Sequence, residues 1–309
     1  MRLFKKTNID FLGKRKMWYI VSTIMVLFGM FSVIFKGITY GIDFQGGTEL
    51  VLAFQQKIAV SEIRVALNKV GLGTSEIKSY GGENNVLIRT SEQAEGTAVA
   101  DKIKNAMQNA FPDKKFDVLK EDKIGPKIGK ELRNDAMLAV LWSFVAILAY
   151  VAIRFKFAYG FGAVIALMHD VFATFGFLSL LNGLIPGLNL DISQEIIAAF
   201  LTLIGVSVND TVIIFDRIRE NEKIYRSMPL FEVMNKSLNE TLSRTIITSS
   251  TIFIVLIILL LFGGEVNRGF AFTMAFGIVT GTYSSIYVAS AFVLDWTRYK
   301  NRKTATAAA

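Results

Sequence analysis

The sequence predicts an α-helical membrane protein: six membrane-spanning helices carrying one α+β domain outside the bilayer. Three observations lead there. The 309 residues are 52% hydrophobic, with a mean hydropathy of +0.43. Apolar runs close to the ~20 residues needed to cross a ~30 Å hydrocarbon layer recur along the chain. Between the first and second of them, residues 36–135 are polar enough and long enough to fold as a domain.

Met17–Phe35 is the first run, behind the basic stretch Met1–Lys16. It begins like a signal peptide, but it is too long for a cleaved one and no A-x-A site follows, so it reads as a retained anchor. In Lys36–Asp135, the β-branched and apolar Thr48–Phe54 reads as a strand. Val60–Val70 sets Val60, Ile63, Leu67 and Val70 at helical spacing, with Ser61 as the expected N-cap. Ile77–Tyr80 and Val86–Thr90 flank Gly81–Asn85 as a hairpin. Ala94–Phe111 is helical by pattern, and Lys115–Leu119 closes the domain as a strand. The order β-α-β-β-α-β is that of a ferredoxin-like split βαβ domain.

The other five spans are Ala136–Ile153, Phe157–Leu181, Ile196–Phe215, Ile246–Phe262 and Gly269–Trp296. The third, fourth and sixth helices hold polar or many small residues, so they are expected to face protein more than lipid. Residues 216–244 are amphipathic and mixed in charge, as an interfacial helix would be, with Met228-Pro229 as a break. Residues 297–309 are expected to be a tail, loose and rich in small residues from Lys303 on.

The net charge of +8 does not mark a nucleic-acid binder, because of where it lies. Met1–Lys16, Arg154–Ala158, Asp216–Arg244 and Asp295–Ala309 together hold 18 Lys and Arg against 7 Asp and Glu; the remainder holds 16 against 19. Basic residues near helix ends stay in the cytoplasm, so both termini are expected there and the α+β domain outside. There is no cysteine, hence no disulfide and no thiol chemistry.

The chemistry-bearing residues are polar groups inside the spans. Asp210 lies about 14 residues from the outer end of the fourth helix, ~21 Å down at 1.5 Å per residue. An ionised carboxylate there costs at least ~2.5 kcal/mol, so Asp210 must be paired, hydrated or protonated. It is either a proton carrier or a hydrogen-bonded lock between helices. Asn209, about 100° around the helix, is either part of that path or an amide joining a neighbouring helix. Arg217 reads as a boundary residue that snorkels to the interface. Arg244 is expected to open the fifth helix below a stripe of Thr241, Thr245, Thr248 and Thr251. It would reach Asp210 if the fourth and fifth helices are neighbours, and the hydroxyls would line a water file. His169-Asp170 contains the single histidine, midway along the third helix. Adjacent helical residues diverge, so the two are expected to have different partners. One histidine without a second carboxylate at ligand spacing makes no metal site. Small residues recur every four positions: Thr273, Gly277, Gly281, Ser285 and Ala289 on the sixth helix, and Ala158, Gly162, Ala166, Asp170 and Thr174 on the third. That spacing lets membrane helices pack backbone to backbone. There is no Walker loop, no G-x-G-x-x-G after a strand and no nucleophile elbow, so neither an enzyme nor a cofactor is expected.

Four stretches resemble the SecD/SecF family of bacterial protein export. They are GVSVNDTVIIFDRIRE (Gly205–Glu220), GIDFQGGTEL (Gly41–Leu50), IGPKIGKEL (Ile124–Leu132) and MHDVF (Met168–Phe172), in the family's order across nearly the whole chain. Gln45 stands where related chains commonly have Lys. The resemblance implies an RND-type six-helix bundle in the bacterial inner membrane, paired with a similar SecD-like bundle. It implies work beside the Sec channel complex (SecYEG), with YajC as a further companion and preproteins as substrates, driven by the proton-motive force. It also implies that Asp210 and Arg244 match the family's membrane acid and base. Two other readings remain: a stand-alone RND-type exporter of small molecules, and a structural scaffold of a membrane complex.

Overall fold

A computed structural model of the chain describes residues 7–82, 84–92, 94–155, 157–185 and 188–307. A single 3-10 turn, Leu12–Lys14, leads into α1 (Arg15–Lys36). Outside the bundle follow α2 (Ile42–Gln45), β1 (Gly47–Phe54), α3 (Val60–Lys69), β2 (Glu76–Ser79), β3 (Asn85–Thr90), α4 (Ala98–Ala110) and β4 (Phe116–Ile124). The remaining spans are α5 (Pro126–Arg154), α6 (Phe157–Leu181), α7 (Gln194–Ile224), α8 (Leu230–Phe262) and a sixth made of α9 (Gly264–Ser284), a π-helical turn (Ser285–Ser290) and α10 (Ala291–Ala307). Among the described residues, six helices are long and apolar enough to cross a membrane.

The α+β domain has the expected ferredoxin-like topology. Its four strands are antiparallel, in the order β2-β3-β1-β4. Alternation sends Leu50, Leu52 and Phe54 of β1 and Val86 and Ile88 of β3 against Ile63 and Leu67 of α3 and Ile103 and Met107 of α4. The other face of the same two strands carries Glu49 and Arg89, which stand opposite each other in register. The helix α3 starts one residue before Ser61, with Ala59 at the N-cap and no side-chain cap. The turn between β2 and β3 contains residue 83, which lies outside the described set, as do the basic residues 2, 5 and 6. Residues 297–307, expected as a tail, instead continue the helix α10, and residues 308 and 309 are not described.

Two glycines explain how the domain is rooted. Gly46 and Gly47 have φ of 73° and 134°, which L side chains rarely adopt. A Cβ at Gly46 would lie 2.9 Å from Cα of Pro126, and one at Gly47 would lie 2.4 Å from the carbonyl oxygen of Thr90. The pair lets β1 turn out of α2 while passing against the start of α5, where Pro126 occupies the first helical turn.

In the bundle, α6, α7 and the sixth span are 44, 50 and 72% buried over their apolar windows, against 6–17% for the other three, as their small and polar residues lead one to expect. The small-residue contacts are close. A Cβ at Gly162 would lie 2.9 Å from Cγ2 of Val293, one at Gly277 2.5 Å from Cδ2 of Leu203, and one at Gly281 3.2 Å from Cβ of Ser207. The tightest crossing, α1 on α6, uses glycines outside the two stripes: a Cβ at Gly176 would lie 2.3 Å from Cα of Gly29.

The structure departs from the sequence reading at residues 216–244. They do not form a separate interfacial helix. α7 continues to Ile224 and α8 starts at Leu230, so the segment is the end of an antiparallel helical hairpin with its break at Tyr225–Pro229. The reason is a buried seam below the apolar run. Ile218 and Asn221 of α7 pack with Met234, Ser237 and Leu238 of α8, and Asn221 donates to Ser237 Oγ at 2.9 Å and to Glu240 Oε2 at 2.8 Å. Arg244 therefore sits well inside α8 rather than opening it.

Candidate functional site

Two buried carboxylates lie in the bundle core, on neighbouring helices. Asp210 projects from α7 and is 3% exposed. Its Oδ2 accepts a hydrogen bond from Ser249 Oγ of α8 at 3.3 Å. Ser249 Oγ is in turn 2.9 Å from Thr282 Oγ1 of α9, which is also 2.7 Å from the Ile278 carbonyl. Each hydroxyl has one proton for two acceptors, so the row can reverse direction by rotating hydroxyls. One long bond among the described residues is far less than the four or so lone-pair sites of an ionised carboxylate can accept. Thr245 Oγ1, one turn from Ser249, is buried without a partner among the described residues.

Asp170 of α6 is fully buried and well held. Its Oδ2 accepts from Ser207 Oγ of α7 at 2.5 Å and from Ser284 Oγ of α9 at 2.8 Å. Its Oδ1 is 3.0 Å from His169 Nδ1, whose Nε2 is 2.7 Å from the Tyr283 hydroxyl. Tyr283 continues to Ser22 Oγ of α1 at 3.3 Å. The expectation that His169 and Asp170 have different partners is thus corrected in one respect: each has its own, but the two also contact each other. Their Cβ atoms diverge, but the imidazole and carboxyl group still come within 3.0 Å, while His169 also meets Tyr283 and Asp170 also meets Ser207 and Ser284.

The two clusters share α7, which carries Asp210 of one and Ser207 of the other. Ser207 and Thr211 are four apart on one face, and Thr211 Oγ1 donates to the Ser207 carbonyl at 3.3 Å and lies 2.8 Å from Ser285 Oγ. Ser285 begins the π-helical turn, where Ser290 donates to the Ser285 carbonyl at 2.9 Å. π-turns inside α-helices are frequent at functional sites.

Not every expected residue joins these clusters. Asn209 and Arg244 are exposed at the surface of the single chain. Among the described residues, no hydrogen bond or ion pair within 4.0 Å joins Arg244 to Asp210. The hydroxyl stripe above Arg244 is not a continuous row. Thr241 donates to the Ser237 carbonyl at 3.0 Å and Thr251 to the Thr248 carbonyl at 2.8 Å, so both bond back to their own helix. Arg217 is a boundary residue, 2.6 Å from both Glu220 and Glu240. Asn209 shares an exposed face of α7 with Thr202 and Gly205. Ser207, Ser249, Thr282, Tyr283 and Ser284 were not singled out from the sequence. The available signal was their spacing, Ser207 three residues before Asp210 and Ser284 three after Gly281. Among the described residues no group of histidine, aspartate and glutamate side chains is arranged to hold a metal ion.

Family comparisons fit this architecture. Residues 102–299 match the model of the protein export membrane protein SecD/SecF, C-terminal, and residues 31–58, which include Gly46 and Gly47, match the SecD/SecF GG motif. The chain is 44% identical to the protein translocase subunit SecF of Rhodothermus marinus, over 96% of this chain and 95% of that protein. It is 41% identical to the SecF subunit of Calditerrivibrio nitroreducens, over 93% of each. Among solved structures it resembles SecDF, a translocon-associated membrane protein from Thermus thermophilus, with a TM-score of 0.84 and 36% identity over 96% of this chain. It spans 40% of that longer chain. Similarity to a SecDF structure in a super-membrane-facing form is lower, with a TM-score of 0.72 at 34% identity. Six apolar spans and these bacterial relatives make this a multi-pass bacterial membrane protein. It belongs to the SecD/SecF family of protein-export membrane proteins.

Proposed function

We propose that the chain serves Sec-dependent protein export by passing protons through its bundle at Asp210, and that it does so paired with a SecD-like bundle. The observation that carries the reading is the environment of Asp210. It is a buried acid on the central helix α7, held by one hydroxyl among the described residues, and the same helix carries Ser207, which bonds the second acid, Asp170. Such a group is costly in a membrane and is best explained as a place where a proton rests. Asp170 and His169 act as the neighbouring relay, and Arg244 as a charge that comes closer to Asp210 when the helices shift.

Pairing rests on the exposed face of α7 and α8. Thr202, Gly205, Asn209, Arg244 and Thr251 are uncovered in the single chain. Polar and small residues at membrane depth face protein rather than lipid. The exposed faces of α1 and α5 carry Ile24, Phe28, Leu141 and Trp142 instead and suit lipid. The basic bias of the cytoplasmic stretches puts both termini inside and the ferredoxin-like domain on the far side of the inner membrane. The SecYEG channel is the machinery it assists, with YajC as an accessory, and emerging preproteins are what its outer domain acts on.

Preprotein release in sealed vesicles with an imposed proton gradient tests this. The chain should raise release in proportion to the gradient, and a protonophore should abolish the gain. A gain that persists without a gradient would favour the scaffold reading.

A further inference from the structure

The buried charges outside the membrane are not absorbed by this account. Arg89 of β3 donates to Glu49 Oε2 at 2.9 Å within its own sheet, and to Asp191 Oδ2 at 2.7 Å in the loop between α6 and α7. Their side chains are only 9, 6 and 2% exposed. Asp191 also accepts from Asn182 at 2.9 Å and lies 3.4 Å from Lys78. Burial alone would raise the Asp191 carboxyl, but the charges of Arg89 and Lys78 and the bonds from Asn182 and Arg89 outweigh it and hold it down at about 2. Burying an ion pair stabilises little over an apolar contact, while breaking one is costly, so such a pair fixes an arrangement more than it strengthens a fold.

What it fixes is the outer end of the helix that carries Asp210. Three links meet there within four residues. Arg89 holds Asp191. The Ile192 carbonyl accepts from the Gly41 amide at 2.9 Å, and Tyr40 and Ile192 form a parallel bridge. Asp43 Oδ2 accepts from the amide of Gln194, the first residue of α7, at 3.0 Å. Asp43 thus sits at the positive end of the helix dipole. A polar cavity of about 150 Å³, lined by Asp43, Glu49, Arg89, Lys120 and Asp191 among others, adjoins the junction.

We infer that Arg89 and Asp191 are positioning residues for export: a rigid strut that transmits movement of α7, and hence of Asp210, to the outer domain. The inference rests on the proton reading above. Because Asp191 stays ionised far below any pH of the outer medium, the strut does not open with the proton gradient. It carries motion and does not sense protons.

The test uses the full chain in membranes with its partner subunit and channel. Asp191→Ala is expected to keep proton flux within about twofold and to cut gradient-driven release about tenfold. The Gly41 and Ile192 amides are expected to exchange about 100-fold faster, as befits a broken buried pair. Because the chain has no cysteine, Tyr40→Cys with Ile192→Cys can tie the same segments by a disulfide. Added to Asp191→Ala, its oxidised form is expected to recover release and its reduced form to lose it, which restored folding alone would not produce. Unaltered release in Asp191→Ala despite faster exchange overturns the proposal, as does loss of release with no recovery on oxidation. Failure of the underlying reading looks different: unaltered flux in Asp210→Asn removes the proton role and leaves the exchange behaviour of Asp191→Ala as expected.

Discussion

Ser207 Oγ lies 2.5 Å from Oδ2 of Asp170, on a side chain three residues before Asp210 in the same helix. A single hydroxyl therefore joins the fully buried acid of α6 to the helix that carries the second acid. Asp170 keeps Ser284 and His169 when Ser207 is removed, so Ser207→Ala should still fold, at a cost of about 1 kcal/mol for a lost hydrogen bond. Proton flux should fall several-fold more than stability accounts for. Equal flux from the variant and the unaltered chain would show that the two acids work independently.

Helix contacts in the bundle should differ in their tolerance of one methyl group. At Gly176 the added Cβ meets the backbone of Gly29, while at Gly277 it meets the end of the Leu203 side chain. Backbone cannot step aside as a rotamer can. Gly176→Ala should lower the thermal midpoint in detergent by the equivalent of about 2 kcal/mol, and Gly277→Ala by clearly less. The reverse order would mean that the α1–α6 crossing readjusts freely.

The outer domain should undock only in strong acid. Asp191 is held at about 2, below its ordinary 3.8. A lowered carboxyl pKa gives stability that is present above the ordinary value and is lost as pH falls through the folded one. Protection of the Gly41 and Ile192 amides should therefore be constant above about pH 4 and decline from there toward pH 2. Asp191→Asn should remove that decline. Loss of protection between pH 5 and 7 would point to a different group.

Orientation has its own test. A reporter within Lys57–Pro112 should be active only outside the cytoplasm, and one at Asn301 only inside. The opposite pattern would overturn the depth assigned to Asp210.

Much of this was legible in the sequence, for physical reasons. Period-two and period-3.6 patterns gave the β-α-β-β-α-β order, because a half-buried strand or helix must alternate its surface. Asp210 and Asp170 stood out because acids are rare and expensive in apolar runs. The hydroxyl partners were not legible. Ser and Thr are common on membrane helices, and whether Ser249 or Thr248 turns inward depends on how α7 and α8 cross. The join of residues 216–244 to the bundle was missed because charged residues on one face look alike at a membrane surface and on a helical hairpin. The link from Arg89 to Asp191 spans 102 positions, and local pattern carries no sign of it.

The most direct measurement is proton flux through Asp210→Asn in vesicles that hold the assembled complex. Asn keeps the size and much of the hydrogen bonding to Ser249, so the bundle should stay intact, but it cannot take up a proton. Flux and gradient-driven release should both fall to background while partner binding and thermal stability stay unaltered, and Arg244→Gln should lose both as well if its charge serves Asp210. Normal flux in an intact Asp210→Asn complex would contradict the account and leave Asp210 as a lock between helices.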